Sequence, residues 1–319
     1  MKKNICVVGA GYWGKNHIRV LNRLNALKGI VELDDNILKT CTNKYPDVNG
    51  HSNIESALNE DYDGFIIATP AKTHFEIAKI IMNAKKHLLI EKPMTLSIEE
   101  ARELVVLSEI NKVNAMVGHV LLFHPAVKKI NEMLINGEIG DLQYVYSNRL
   151  NLGKVRTEEN VFWSLAPHDI AIFQYLTGSI PKKINARGST FLQKGIPDST
   201  LTQLEYENGV RGHIFVSWLH PFKEHRLVVI GSEAMISFED SLEDKPLKLY
   251  SKKIDIRSGM PEKVDGPVKM IPFENKMPLD IELEYFINHL SNVKPKISNV
   301  EHGYEVVKTL VDASKQISI

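Results

Sequence analysis

The chain has 319 residues, 43% hydrophobic and 24% charged, with 39 Lys and Arg against 39 Asp and Glu. This composition excludes disordered and fibrous classes, and the charge balance argues against a nucleic-acid-binding surface. The length exceeds what one core usually supports, so two domains are expected.

Ile5-Cys6-Val7-Val8 opens the chain as an apolar strand and runs into Gly9, Gly11 and Gly14 at G-x-G-x-x-G spacing. Residues 15–27 follow as an amphipathic helix. In that context the first glycine makes the tight turn and the second lets backbone approach a pyrophosphate. The third lets helix and strand pack closely, with phosphates at the helix N-terminus. Residues 27–33 read as a second strand, and Glu32 stands about twenty residues past the glycines. An acid there binds ribose hydroxyls and repels a 2′-phosphate, which points to NAD rather than NADP. The alternative is that Glu32, Asp34 and Asp35 only start the next helix.

Residues 37–45 read as a helix, 46–49 as a loop, 54–58 as a short helix and 62–68 as a buried parallel strand. That strand ends in Thr69-Pro70, which should lie beside the dinucleotide, followed by His74, which is otherwise an exposed helix-start histidine. A helix over 75–83 leads to a strand over 87–90 that delivers Glu91-Lys92-Pro93 to the same sheet edge. Lys92 is there a lysine within reach of a nicotinamide ring, or else an ordinary loop lysine. Ser97 and Glu100 form a capping box for a helix to about 111, and residues 115–119 make another strand.

The boundary is placed near residue 120, giving a dinucleotide-binding domain over 1–120 and a second domain over 121–319. A helix is expected over 123–136. Strands over 144–150, 184–191, 200–206, 211–218, 226–230 and 234–238 then succeed one another almost without helices, which indicates a largely antiparallel sheet. The fold class is α/β: a Rossmann domain plus a mixed α/β domain with a largely antiparallel open sheet. In residues 251–275 the Lys252-Ile254-Ile256 alternation suggests an edge strand. Helices over 279–290 and 300–317 close the chain.

Between the first two strands of the second domain lie Asn148 to Arg156 and then Asn160 to Asp169, continuing into an apolar helix over 170–176. Pro167 in the first turn would put His168 at a helix N-terminus, where the dipole favours a neutral, base-competent imidazole. The alternative is a capping Asp169 with a structural His168 beside it. Alcohol oxidation by NAD needs a base and a group that stabilises the alkoxide. Lys92 and His168 supply both, and a cleft between domains is the usual place for them.

Cys6 and Cys41 cannot build a disulfide framework, and no Cys/His spacing suggests zinc, so no metal is expected. The basic cluster of Lys248, Lys252, Lys253 and Arg257 reads as a solvated strand or loop. Met1-Lys2-Lys3 leads straight into the first strand and no apolar stretch could span a bilayer, which makes the cytoplasm the expected location.

With these residues in place the chain resembles the Gfo/Idh/MocA family of NAD(P)-dependent sugar oxidoreductases. The resemblance rests on the glycine loop, Ala68-Thr69-Pro70 with His74, Glu91-Lys92-Pro93 and the segment around His168. It implies that Lys92 contacts nicotinamide and substrate and that His168 is the catalytic histidine. It further implies a homodimer or homotetramer formed through the open sheet. Gly11 to Asn16, with Tyr12 and Trp13, as well as Arg149 to Gly153, Asn160-Val161 and Trp163 to Asp169, are similar to the branch that oxidises UDP-N-acetylglucosamine-type sugars at C3. A partner aminotransferase consumes the 3-keto product of that branch. By this resemblance His119, Arg149, Asn151, Arg156, Asn160 and Trp163 belong to the sugar and nicotinamide pocket, the arginines suiting a diphosphate. Two positions depart from the pattern: Ser164 replaces the family's usual Asp four residues before the histidine, with Asp169 as a possible substitute, and His124 replaces an Asn. A polyol or monosaccharide dehydrogenase of the inositol type is the second reading. A cofactor-sensing regulator on the same fold is the third, opposed by the retained Lys92 and His168.

Overall fold

A computed structural model describes residues 3–153, 155–257, 259–291 and 293–317; Met1 and Lys2, named above, and Lys154, within the segment Asn148 to Arg156, lie outside the described residues. In chain order the elements begin β1 (Ile5–Val8), α1 (Tyr12–Arg23), β2 (Leu27–Val31), α2 (Asp35–Lys44), β3 (Asn49–His51), α3 (Ile54–Leu58) and β4 (Gly64–Ile67). Then come α4 (His74–Asn83), β5 (His87–Glu91), α5 (Ile98–Asn111), β6 (Ala115–Gly118), α6 (Pro125–Ile135), β7 (Leu142–Leu150) and α7 (Val161–Thr177). Strands β8 (Pro181–Ser189), β9 (Ser199–Tyr206), β10 (Arg211–Ser217), β11 (Glu224–Gly231), β12 (Met235–Glu239) and β13 (Leu247–Tyr250) follow. The chain closes with β14 (Lys253–Arg257), β15 (Met260–Val264), β16 (Val268–Met270), α8 (Pro278–Asn288) and α9 (Val300–Ile317).

Two compact units result, Met1–Phe123 with Lys276–Lys308, and His124–Asn275 with Thr309–Ile319. Residues 276–308 thus cluster with the first unit, while the second unit holds residues 124–275 and 309–319. Residues 276–308 return to the first unit because its sheet offers them an apolar face and an edge. A Cβ on Gly64 would meet Leu290 at 2.7 Å, and Asn114 Nδ2 donates to the carbonyls of His289, Ser291 and Val293 at 2.7–2.8 Å.

The first unit holds a parallel sheet in the order β3-β2-β1-β4-β5-β6, the doubly wound order of a Rossmann fold. Strands β1, β4 and β6 are buried at every residue, which is why they read as unbroken apolar runs. Side-chain caps set several helix starts: Asp34 accepts from Asn36 N and Ile37 N, and Ser97 accepts from Glu100 N. Residues 46–49, expected as loop, run into the short edge strand β3, whose Asn49-Gly50-His51 lacks any apolar signature.

The second unit holds an eight-stranded sheet in the order β16-β13-β12-β11-β7-β10-β9-β8, antiparallel except for the β7–β10 pair. Val145, Ser147 and Arg149 of β7 are buried, and α7 lies on β7, β9 and β10. Tyr144 and Tyr146 alternate with them and remain partly exposed, Tyr146 stacked on His213 at 4.9 Å. The alternation at 252–256 is a strand, but it joins a separate hairpin with β15 instead of the sheet edge, which β16 takes beside β13. Of the basic cluster, Lys252 pairs with Asp265 and Lys253 with Glu233. No helix among the described residues is long and apolar enough to cross a membrane.

Candidate active site

In the first unit, the turn between β1 and α1 is Gly9-Ala10-Gly11, and α1 starts at Tyr12, ahead of the expected 15. Gly9 has φ +95°, and a Cβ there would stand 2.9 Å from the Ala68 carbonyl oxygen. On Gly14 a Cβ would lie 1.9 Å from the Gly9 carbonyl oxygen, so helix and turn touch only because this residue has no side chain. Gly11 differs, since a Cβ there meets nothing within 4 Å. No side chain caps α1 and no acid occupies its first turn. Its first N–H groups therefore have no side-chain acceptor at the cap, and the positive end of the helix dipole lies at this turn. Tyr12 and Trp13 are exposed beside this turn, edge to face.

Glu32 is held at the same turn. Its Oε2 accepts from Ala10 N at 2.8 Å and its Oε1 from Asp34 N at 3.1 Å. Starting α2 falls instead to Asp34, so the two acids do separate jobs.

At the end of β4, Thr69 accepts from Thr73 Oγ1 at 2.7 Å and Pro70 is exposed. His74 is the first residue of α4 but is buried, not exposed. Its Nε2 lies 2.9 Å from the Thr69 carbonyl oxygen and its Nδ1 2.9 Å from that of Pro93. Burial pushes its pKa down, while the two carbonyls oppose the shift. His74 thus braces the loop after β4 against the loop after β5, and its nitrogens face protein backbone.

Glu91 ends β5 and is also turned inward. It accepts from His17 Nε2 at 2.7 Å and from Lys92 N at 3.1 Å. Lys92 follows, half-buried, joined to Pro93 by a cis peptide. His119, just past β6, is buried, and neither ring nitrogen has a hydrogen-bond partner. Burial, then His302 and Lys92, push its pKa well down, so it stands as a neutral imidazole beside the lysine. Buried polar groups without partners are rare, and two on one ring fit a polar ligand group. Together with the open space at Gly11 and the carboxylate at Ala10, these residues fit a bound dinucleotide. His302, whose ring edge meets His119 at 5.6 Å, carried no sequence signal, because only the return of residues 276–308 brings it here.

In the second unit, α7 begins well before the expected residue 170. Asn160 caps it by accepting from Trp163 N at 3.1 Å, and Pro167 lies inside the helix. His168 is therefore an interior helical residue, two turns from the positive end of the helix dipole. Ser164 sits one turn earlier on α7. Asp169 is no cap either. It is buried and receives Arg149 in a two-point pair, Nε to Oδ2 at 2.8 Å and Nη2 to Oδ1 at 3.0 Å. Arg149 Nη1 faces His225 Nδ1 at 3.4 Å, and burial, then the Arg149 charge, hold His225 down to about 3. This guanidinium is thus engaged inside its own unit, and Asp169 is engaged with it.

Other pocket candidates also have architectural partners. Trp163 Nε1 donates to Ser314 Oγ at 2.8 Å, and Asn160 is the α7 cap. Arg156 is exposed, 3.8 Å from Glu159. Asn151 retains a buried Oδ1 without a partner. His124 takes the cap position of α6, its Nδ1 accepting from Ala126 N at 3.1 Å and its ring set against Phe238 and Phe273.

Comparison with known proteins fits this arrangement. A family profile described as oxidoreductase family, NAD-binding Rossmann fold, matches residues 3–119, and the Gfo/Idh/MocA C-terminal domain profile matches residues 127–237. The UDP-N-acetylglucosamine 3-dehydrogenase of Acidithiobacillus ferrooxidans is 25% identical over 311 residues, covering 94% of this chain and 93% of that one. Its solved structure has a TM-score of 0.87 at 22% identity over 99% of this chain and 98% of its own, a likeness of fold. The uncharacterised oxidoreductase YrbE of Bacillus subtilis is 28% identical over 249 residues, 74% of this chain and 73% of its own. The chain belongs to the Gfo/Idh/MocA family of NAD-binding oxidoreductases.

Proposed function

We propose that this enzyme oxidises a nucleotide-linked amino sugar of the UDP-N-acetylglucosamine type to its 3-keto sugar, with NAD as oxidant. The observation that carries this reading is the likeness to a UDP-N-acetylglucosamine 3-dehydrogenase over nearly the whole of both chains. The hydride acceptor is what NAD supplies when bound. His168 takes the hydroxyl proton, and the Lys92 ammonium steadies the oxygen as it becomes a carbonyl. Glu32 binds ribose hydroxyls, and its negative charge disfavours a 2′-phosphate. Asn151, with its unspent Oδ1, is a sugar contact. Arg149 fixes Asp169, the residue next to His168 on α7. The protein works in the cytoplasm as a homodimer or homotetramer, and an aminotransferase consumes the keto product.

The test is formation of NADH from UDP-N-acetylglucosamine or its uronic acid, with an aminotransferase present to remove product. Inositol and free monosaccharides serve as the comparison set. NADH from a UDP-sugar and not from free polyols is expected, and the reverse pattern refutes the reading. Lys92→Ala and His168→Ala should each lower kcat by about 100- to 10,000-fold.

A further inference from the structure

His17 lies on the buried face of α1, the helix that rises from the glycine turn. Its Nε2 donates to one Glu91 oxygen at 2.7 Å, and the other Glu91 oxygen accepts from Lys92 N at 3.1 Å. A continuous chain of hydrogen bonds therefore joins α1 to the backbone of Lys92. The surroundings are built for it. A Cβ on Gly118 would stand 3.1 Å from the Glu91 carboxyl group, so β6 is reduced to a glycine where that carboxylate lies. On α8, Glu282 is fully buried with neither oxygen hydrogen-bonded, and burial, then the Glu91 charge, keep it protonated. A second negative charge is thereby withheld from the neighbourhood of Glu91.

We propose that His17 is a positioning residue for Lys92: acting through Glu91, it ties the setting of the lysine to that of α1, so that loading the glycine turn and placing the lysine are one event. The pair is short and buried, the setting in which such a hydrogen bond is strongest and its loss leaves a partner unsatisfied. The inference rests on Lys92 being a site residue.

The experiment measures acetylation of Lys92 by acetic anhydride, read by peptide mass spectrometry with and without NADH, alongside NADH affinity from nicotinamide fluorescence. In the wild type NADH should change the Lys92 acetylation rate several-fold. In His17→Phe that response should vanish although NADH still binds, and kcat should fall by about 10- to 100-fold with little change in KM for NAD. His17→Gln, which keeps an N–H donor towards Glu91, should restore the response. If His17→Phe fails to fold, Glu91→Gln provides the same comparison. A wild-type lysine indifferent to NADH, or a folded variant with the wild-type response, overturns the proposal. Turnover surviving in Lys92→Ala is a separate result that refutes the role given to Lys92 itself.

Discussion

Glu282 is a carboxylic acid in a place that offers it no hydrogen bond. Burial and the neighbouring Glu91 charge raise its pKa well above the ordinary carboxyl value. The folded chain keeps a proton that the unfolded chain releases above about pH 4.3. Stability from this group is thus complete below that pH and declines as pH rises towards the folded pKa. Glu282→Gln preserves the shape and has no proton to lose. Its melting temperature should exceed that of the wild type by about 5 °C or more near pH 8 and converge with it near pH 4. Equal melting temperatures at the higher pH would show that the carboxyl group is not buried as described. His225 is the opposite case, an imidazole held neutral beside Arg149, so that the Arg149–Asp169 pair is electrically complete without it.

The turn from β1 to α1 separates stability from binding in adjacent glycines. Gly14→Ala forces a Cβ against the Gly9 carbonyl oxygen and should cost about 2–4 kcal/mol in a thermal or urea melt. Gly11→Ala has room for its methyl group and should melt like the wild type, yet lose about tenfold or more in NADH affinity, because the methyl group takes the space a pyrophosphate approaches. Equal stability losses in both would refute this division. Elements of this kind were legible in the sequence: β1, β4 and β5 carry apolar runs that stop at Gly9, Thr69 and Glu91, and strand ends are where a doubly wound sheet collects its ligands. The start of α7 was not, because a proline suits a first helical turn and Pro167 looked like one, whereas Asn160 caps the helix much earlier. The intramolecular partners of Arg149, Asn160, Trp163 and His74 were not legible either. Spacing identifies a polar side chain, but only the folded chain shows which buried groups it must satisfy, and these four answer to Asp169, Trp163 N, Ser314 and two carbonyls.

At the scale of the molecule, the cofactor-binding unit is assembled from two separated stretches of chain. Residues 276–308 pack Leu290 and Phe286 against Gly64. They also lay Ser298 along β6, where Ser298 O accepts from Val117 N at 2.8 Å and Ser298 Oγ donates to Val117 O at 2.5 Å. A fragment of residues 1–123 keeps the glycine turn, Glu32 and Lys92 but lacks this cover. It should show no cooperative melt and no NADH-dependent fluorescence change; a fragment that melts cooperatively and binds NADH would show that the returning stretch is dispensable.

The edge of β6 that Ser298 occupies has a further consequence during synthesis. Ribosomes add residues at about 5–20 per second, so on the order of ten seconds or more separates the appearance of β6 from that of the segment that closes its edge. Throughout that interval the nascent chain presents an unpaired strand edge and an uncovered apolar face, the features from which chance pairing and aggregation begin. Residues 124–275 form one continuous stretch of their own unit and emerge in the meantime. Residues 276–308 therefore finish the first unit long after its sheet strands are made, and the nascent chain must be sheltered until they arrive.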